Sequence, residues 1–251
     1  VKFHGMNMFQ VQADFKSFLS KYMLRPSVRT IMNTADYVFS YGGRISEIID
    51  TEVDDSSKIV ELPSGIERVW LSDSIPDSTA TRNLLFVGRY DRVKGLPELY
   101  KAISLVKAEH EWQLNIVGPI PENKRIDHPR VNYLGEIKDS KELREVYDGS
   151  DVLISSSISE GMPNVILEGM ARGLAIVATD VGAVNLLVKD NGILVKSGSV
   201  QHLADAIEST INVENVALDK MKSESLKLVG SEFLWERIIE KFEQFLSTLN
   251  R

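Results

Sequence analysis

Apolar positions fall into two alternating patterns over the C-terminal two thirds of the chain. Short aliphatic runs at Asn83–Val87, Gln113–Val117, Val131–Leu134, Asp151–Ile154, Ala175–Ala178 and Ile193–Val195 read as buried parallel strands. Between them lie segments with helical spacing. Gly95–His110 carries Leu96, Leu99, Ile103 and Val106, and further helices are expected at Ser140–Tyr147, Pro163–Arg172, Val200–Ile211 and about Val216–Val229. Such alternation predicts an α/β fold with a doubly wound parallel, Rossmann-type sheet.

The N-terminal third is less regular. It opens on Val1 with what reads as the end of a strand ahead of His4-Gly5, and a helix-like segment runs to about Ala35. Asp36–Ser40 and Lys58–Leu62 read as strands, Arg44–Ile49 as a helix, and Pro63-Ser64-Gly65 as a turn. Residues 71–82 are polar and turn-rich, which suits a linker. At the far end Leu234, Ile238, Phe242, Phe245 and Leu249 fall on one stripe of a last helix. The boundaries expected are therefore 1–76, 77–231 and 232–251.

The stretch from Ser155 to Gly173, S-S-S-I-S-E-G-M-P-N-V-I-L-E-G-M-A-R-G, carries the chemistry. It joins the strand Asp151–Ile154 to the next helix, and ligands of open parallel sheets sit beyond the carboxyl ends of strands. A helix starting there directs unpaired N–H groups and partial positive charge at the ligand. Glu160 lies in the loop and Glu168 in the helix, seven residues between them, with Asn164 and Glu168 on one face and Ile166 and Met170 facing the core. Two such carboxylates can reach two parts of one extended, hydroxyl-rich, anionic ligand. Spacing alone equally allows a loop acid and a solvated helix acid.

This stretch closely resembles the E-x7-E signature of retaining glycosyltransferases of the GT-B fold, the large family-four group, down to Gly161, Pro163 and Asn164. The resemblance implies that Glu160 contacts the donor sugar and Glu168 the ribose hydroxyls, with Gly161, Met162, Pro163 and Asn164 lining the donor site. Gly88-Arg89-Tyr90-Asp91-Arg92-Val93-Lys94-Gly95 resembles the family's G-R-x(n)-K-G element, and Arg89 and Lys94 are thereby expected on the diphosphate. Val131–Ile137 resembles the strand and turn whose backbone, here at Gly135 and Ile137, borders the base. His4 resembles the histidine that projects beside the reacting sugar, and Pro63-Ser64-Gly65-Ile66-Glu67 the family's P-N-G-[VI]-[DE] turn. Phe233-Leu234-Trp235-Glu236 resembles the start of a C-terminal helix that crosses back to the first domain.

Departures from the pattern flank the donor pocket: Ala175 stands for a usual proline, Ala183 for the second glycine of a pair, and Asn185 for a common glutamate. A larger one is upstream. The resemblance covers the whole chain, but the chain covers only the last part of the family's first domain and all of its second. The fold expected is thus GT-B-like, with a complete C-terminal Rossmann-type domain and an incomplete N-terminal, acceptor-side one.

Composition narrows the partners. There is no cysteine, which excludes thiolate chemistry, and the net charge of −7 argues against nucleic acid. Residues 1–30 run against that balance at +4, with Lys16, Lys21, Arg25 and Arg29 in one stretch. Two readings stay open for it: an interfacial helix on anionic lipid or an anionic acceptor, or the commoner core-packing helix with a solvated face. No membrane-spanning run or signal-peptide layout occurs, so a cytoplasmic protein with room for peripheral membrane contact is expected.

The sequence reading is a metal-independent, retaining, hexosyl-type glycosyltransferase, with His4, Arg89, Lys94 and Glu160 expected at the reaction centre. No cofactor and no metal site are expected. Its partners would be a nucleotide-diphosphate sugar and a glycan or lipid-linked acceptor, in the polysaccharide-building class. The alternative is a nucleotide-sugar-binding fragment or subunit without catalysis of its own.

Overall fold

The computed structural model describes residues 1–3, 6–10, 15–78 and 80–249. His4 and Gly5 lie outside the described residues. Six strands form one parallel sheet: β3 (Arg82–Val87), β4 (Trp112–Val117), β5 (Val131–Gly135), β6 (Val152–Ser155), β7 (Ala175–Thr179) and β8 (Gly192–Val195). They stand in the order β5-β4-β3-β6-β7-β8. The chain steps outward from β3 to β5, returns to lay β6 against β3, and then steps the other way. The loops leaving β3 and β6 therefore diverge from neighbouring strand ends, which makes a crevice.

Both faces of this sheet are covered, because side chains alternate along each strand. Leu85, Leu153, Ile176 and Ala178 bury on one face with Ile166 and Met170 of α5 (Asn164–Ala171), the short α6 (Val184–Leu187) and Val229 of α8 (Asn215–Glu232). Leu84, Phe86, Val152, Ile154 and Val177 bury on the other with α3 (Leu96–Ile103) and α7 (Val200–Asn212). α4 (Ser140–Asp148) is capped by Asp139, which accepts from the N–H groups of Lys141 and Glu142.

The helix expected over Gly95–His110 stops at Ile103. Val106 still packs on the core, as its spacing implied. Beyond it the backbone turns to α7 for partners: the Lys107 N–H donates to Glu208 at 2.7 Å and the Glu109 N–H to Asn212 at 3.0 Å. Tertiary partners thus replace the last turns of the helix.

A second, smaller parallel pair, β1 (Val38–Ser40) and β2 (Ile59–Glu61), carries α1 (Phe15–Thr34) and α2 (Arg44–Glu52). Lys2 bridges to Phe39 in parallel, as the strand-like start implied. Met6, Val28, Met32, Val38, Ile45 and Ile49 make its core. The last helix, α9 (Trp235–Leu249), is tied to this unit: the Ile66 N–H donates to the Phe233 carbonyl at 2.8 Å, and Phe245 meets Tyr37 and Phe39 edge-on at 5.0 and 5.6 Å.

A buried ion pair fastens the connecting segment. Lys222 of α8 is fully buried and donates to Asp151 (2.6 Å), to the Ser78 hydroxyl (2.9 Å) and to the Pro76 carbonyl (3.2 Å). The other Asp151 oxygen accepts the Asn83 N–H at the start of β3. Removing one partner leaves the other charge buried and unpaired, so Lys222→Ala should lower stability by about 3–5 kcal/mol, read from chemical denaturation midpoints at constant slope.

Candidate active site

The crevice is held open and in register by a close approach of backbone. Gly95 adopts φ +66°, and a Cβ there would stand 1.9 Å from the Ser156 carbonyl oxygen. Only glycine lets the loop after β3 lie that near the loop after β6. The Ser156 hydroxyl closes the contact by donating to the carbonyls of Lys94 and Gly95, both at 3.1 Å, and the Ile158 N–H donates to the Val93 carbonyl at 2.8 Å. Asp91 shapes the preceding turn by accepting the Val93 N–H at 3.0 Å.

This lacing places Lys94 against Glu160. The Lys94 Nζ donates to Glu160 Oε1 at 2.8 Å, and the Ser157 hydroxyl donates to the same oxygen at 2.8 Å. Both side chains keep part of their surface open to the crevice. Gly161 and Met162 follow directly and are buried. Gly182, at φ +57°, lets the loop after β7 come within van der Waals contact of the Glu160 and Gly161 carbonyls, and the Ala183 N–H donates to Gly161 at 2.7 Å.

Arg89 stands apart from that pair. Its guanidinium is largely exposed and donates to Asp91 at 3.2 Å. Gly135 ends β5, where its carbonyl accepts the Gly118 N–H at 2.7 Å, and Ile137 packs on the same core cluster as Tyr147. These two share the carboxyl edge of the sheet with Lys94 and Glu160. Among the described residues no hydrogen bond joins them to that pair.

α5 begins at Asn164, with Pro163 just outside it at ψ 119° and no side chain capping the first turn. The helix therefore starts one residue later than its proline suggested. Asn164 is exposed, Glu168 is half-buried one turn on, and Ile166 and Met170 are fully buried, as the spacing required. Glu168 Oε2 accepts a 2.8 Å hydrogen bond from the hydroxyl of Tyr147 on α4, and no ion pair of Glu168 occurs among the described residues. Burial pushes its carboxyl above the usual range; the Tyr147 hydrogen bond and the Lys94 charge oppose that rise. A small pocket of about 140 Å³ beside Glu168 is lined by Glu67, Trp70, Asn164 and Trp235.

Sequence reasoning missed Gln10. Its amide brackets the Glu160 peptide, donating to the carbonyl at 2.6 Å and accepting the N–H at 3.3 Å across 150 residues. No local pattern reports a contact of that range. Nor was the neighbouring cleft of about 830 Å³ visible, which is lined by Phe9, Gln10, Arg44, Asp180, Gly182 and Lys196. Arg44 of α2 closes one side through a two-pronged ion pair with Asp180.

The architecture that this site occupies is shared. The structure superposes on sucrose-phosphate synthase from Thermosynechococcus elongatus with a TM-score of 0.81 over 99% of this chain and 67% of that one, at 22% identity. It also matches Anabaena HepE, solved in complex with UDP and glucose, with a TM-score of 0.71 over 91% of this chain and 67% of that one, at 17% identity. The fold is of the GT-B glycosyltransferase type.

Residues 81–212, more than half of the chain, match the family described as glycosyl transferases group 1, and the chain belongs to that family. An uncharacterized glycosyltransferase of Methanocaldococcus jannaschii is 26% identical over 98% of this chain and 67% of its own length. The putative teichuronic acid biosynthesis glycosyltransferase TuaC of Bacillus subtilis is 32% identical over 50% of this chain and 32% of its own. The chain thus spans from a third to two thirds of these relatives.

The strain at Glu168 is measurable as stability. A carboxyl with a raised folded-state pKa favours the fold below its unfolded value of about 4.5 and loses that contribution as pH rises through the folded value. Glu168→Gln keeps an oxygen for Tyr147 and carries no charge. It should melt about 2–4 °C above the parent at pH 8, the shift that about 1 kcal/mol gives at this size. The gap should close as pH falls towards 4.5, as followed by circular dichroism.

Proposed function

We propose that this chain is the donor-binding part of a hexosyl-type glycosyltransferase that moves a sugar from a nucleotide-diphosphate donor to a glycan or lipid-linked acceptor, with retention and without a metal. The observation that carries this reading is the Lys94–Glu160 pair at the crevice between β3 and β6, with Glu168 one helix face further on. A nucleotide sugar presents diphosphate charge flanked by two hydroxyl-bearing rings, and the site offers a cation flanked by two carboxylates. Lys94, Arg89 and the uncapped start of α5 at Pro163–Asn164 supply the positive potential that meets the leaving diphosphate.

Glu160 then takes hydroxyls of the transferred sugar and Glu168 those of the ribose, while Gly135 and Ile137 border the base. Gly161, Met162, Pro163 and Asn164 form the wall between the two carboxylates. His4 is assigned to the acceptor side beside the reacting carbon. Glu160 Oε1 is already committed to Lys94 and Ser157, which suits a binding role better than attack on the sugar. In the corresponding front-face reaction, the bond from the sugar C1 to the phosphate oxygen breaks as the acceptor oxygen bonds C1 on the same face. The acceptor proton passes to the departing phosphate.

The names TuaC and HepE, one tied to teichuronic acid and the other solved with UDP and glucose, make a UDP-hexose the first donor to test and surface polysaccharide the first acceptor class. We assign the protein to the cytoplasm, with peripheral membrane contact through α1. There Tyr22, Met23 and Leu24 are exposed beside Arg25 and Arg29. No helix among the described residues is long and apolar enough to cross a membrane.

Calorimetric titration with UDP, GDP and ADP should show micromolar binding of one of them, lost in Glu168→Ala. In the longest form of the protein that transfers sugar, Lys94→Ala should lower turnover about 10²–10³-fold, the usual cost of removing one group that stabilises transition-state charge. Glu160→Ala should abolish transfer. Near-normal turnover in either variant removes that residue from the assignment.

A further inference from the structure

Tyr147 is the largest apolar-bodied residue fully buried beside the candidate site, and its ring is held by the core. Trp70 meets it edge-on at 5.9 Å, and the residue belongs to the cluster that includes Leu153, Ile166 and Met170. A phenylalanine would fill that space as well. The hydroxyl is the one part of the side chain that packing does not require, and it is spent on a single partner, Glu168 Oε2.

We infer that Tyr147 is a positioning residue for donor binding: its hydroxyl fixes one oxygen of Glu168 and leaves the other to receive the vicinal hydroxyls of a ribose. This rests on the assignment of Glu168 to the ribose made above. The argument is one of geometry and charge. A carboxylate on a helix can rotate about its side-chain torsions, and a ligand that needs one orientation binds more weakly for each orientation it must exclude. The 2.8 Å bond from a buried, immobile donor removes that freedom before the ligand arrives.

It also favours the charged form over the protonated one. Burial disfavours the carboxylate, and no cation pairs with it among the described residues, so the Tyr147 hydrogen bond is a principal support for ionisation. The groups that face Glu168 are few. Lys94, from the loop after β3, adds favourable charge. Among the described residues Glu67, from the turn after β2, is the one other charged residue lining the small pocket beside Glu168, and its remaining walls, Gly65, Ile66, Trp70, Asn164, Leu167 and Trp235, are uncharged. An ionised carboxylate accepts hydrogen bonds from two adjacent hydroxyls, whereas a protonated one offers a weaker acceptor and a proton.

The test separates this role from a purely structural one. The whole chain is titrated with UDP, GDP and ADP, and whichever binds is compared with its 2′,3′-dideoxy form. Tyr147→Phe should weaken binding of the ribonucleotide about tenfold, in keeping with the loss of one hydrogen bond to a charged group, and leave the dideoxy form unchanged. In a Glu168→Gln background the same substitution should do far less. The ratio of the two affinities cancels titration of the phosphates. In the unaltered chain it should fall as pH drops from 8 to about 4, the ordinary carboxylate range, and in Tyr147→Phe the fall should begin at a higher pH.

Equal weakening of both nucleotides by Tyr147→Phe, or no weakening, overturns the inference and leaves the donor assignment standing. Should Tyr147→Phe not fold, the pH series on the unaltered chain decides: a ratio that is flat across that range overturns the claim that Glu168 must be held ionised. A ribose preference that survives in Glu168→Ala, or no binding of any of the three nucleotides, overturns the donor assignment itself and the inference with it.

Discussion

The site depends first on how near two loops can pass. Neighbouring parallel strands fix the ends of β3 and β6 close together, but the loops leaving them must reach opposite helices and would ordinarily spread. Gly95 removes the side chain that would hold them apart, and Ser156 supplies the hydrogen bonds that reward contact. With the backbones in contact, Lys94, next to Gly95 on one loop, and Glu160, four residues past Ser156 on the other, meet without any long-range search. A larger residue at position 95 would meet the Ser156 carbonyl and so separate a cation and a carboxylate 66 residues apart in sequence.

Two carboxylates of one sequence motif end in different electrostatic states because their neighbours differ. Glu160 sits on a loop, partly wet, with an ammonium and a hydroxyl on one oxygen. Glu168 sits on a helix wall with a neutral phenol, and burial raises its proton affinity. The first arrangement neutralises charge in advance, so on the function proposed above a diphosphate would meet Lys94 only by sharing it. The second leaves a half-buried carboxylate with a neutral phenol as its hydrogen-bond donor and, among the described residues, only the Lys94 cation nearby, which costs stability. Strain of this kind is the usual price of a preformed binding group.

Much of this was legible in the chain itself. Strand positions in the large sheet, the face of α5 and the neighbourhood of Glu160 follow from periodicity and small-residue spacing, which report local geometry. The end of α3 did not follow, since Val106 keeps the helical spacing while its neighbours hydrogen-bond to Glu208 and Asn212 of α7. Gln10 and the Asp151–Lys222 pair were equally silent. Both join segments far apart in sequence, and a polar residue looks the same in sequence whether it faces water or a buried partner. Arg89 shows the opposite case: its motif position was plain, but its side chain lies along Asp91.

The distribution of long-range ties says which parts of the site stand on the large sheet alone. Lys94, Tyr147 and Glu168 are set by β3, α4 and α5, all elements that belong to that sheet or pack on it. The peptide of Glu160, the Met162 sulfur and Asp180 are held instead from the other unit, by Gln10, by the Ser64 N–H at 3.1 Å and by Arg44. Lys94, Tyr147 and Glu168 thus rest on the large sheet, whereas the 830 Å³ cleft has its far wall on α2 and on the segment carrying Phe9 and Gln10. A shift of that wall would alter what lies opposite Glu160 while leaving Lys94, Tyr147 and Glu168 in register. On the function proposed above, nucleotide affinity and acceptor choice are therefore physically separable, and substitutions at Arg44 should act on the second far more than on the first.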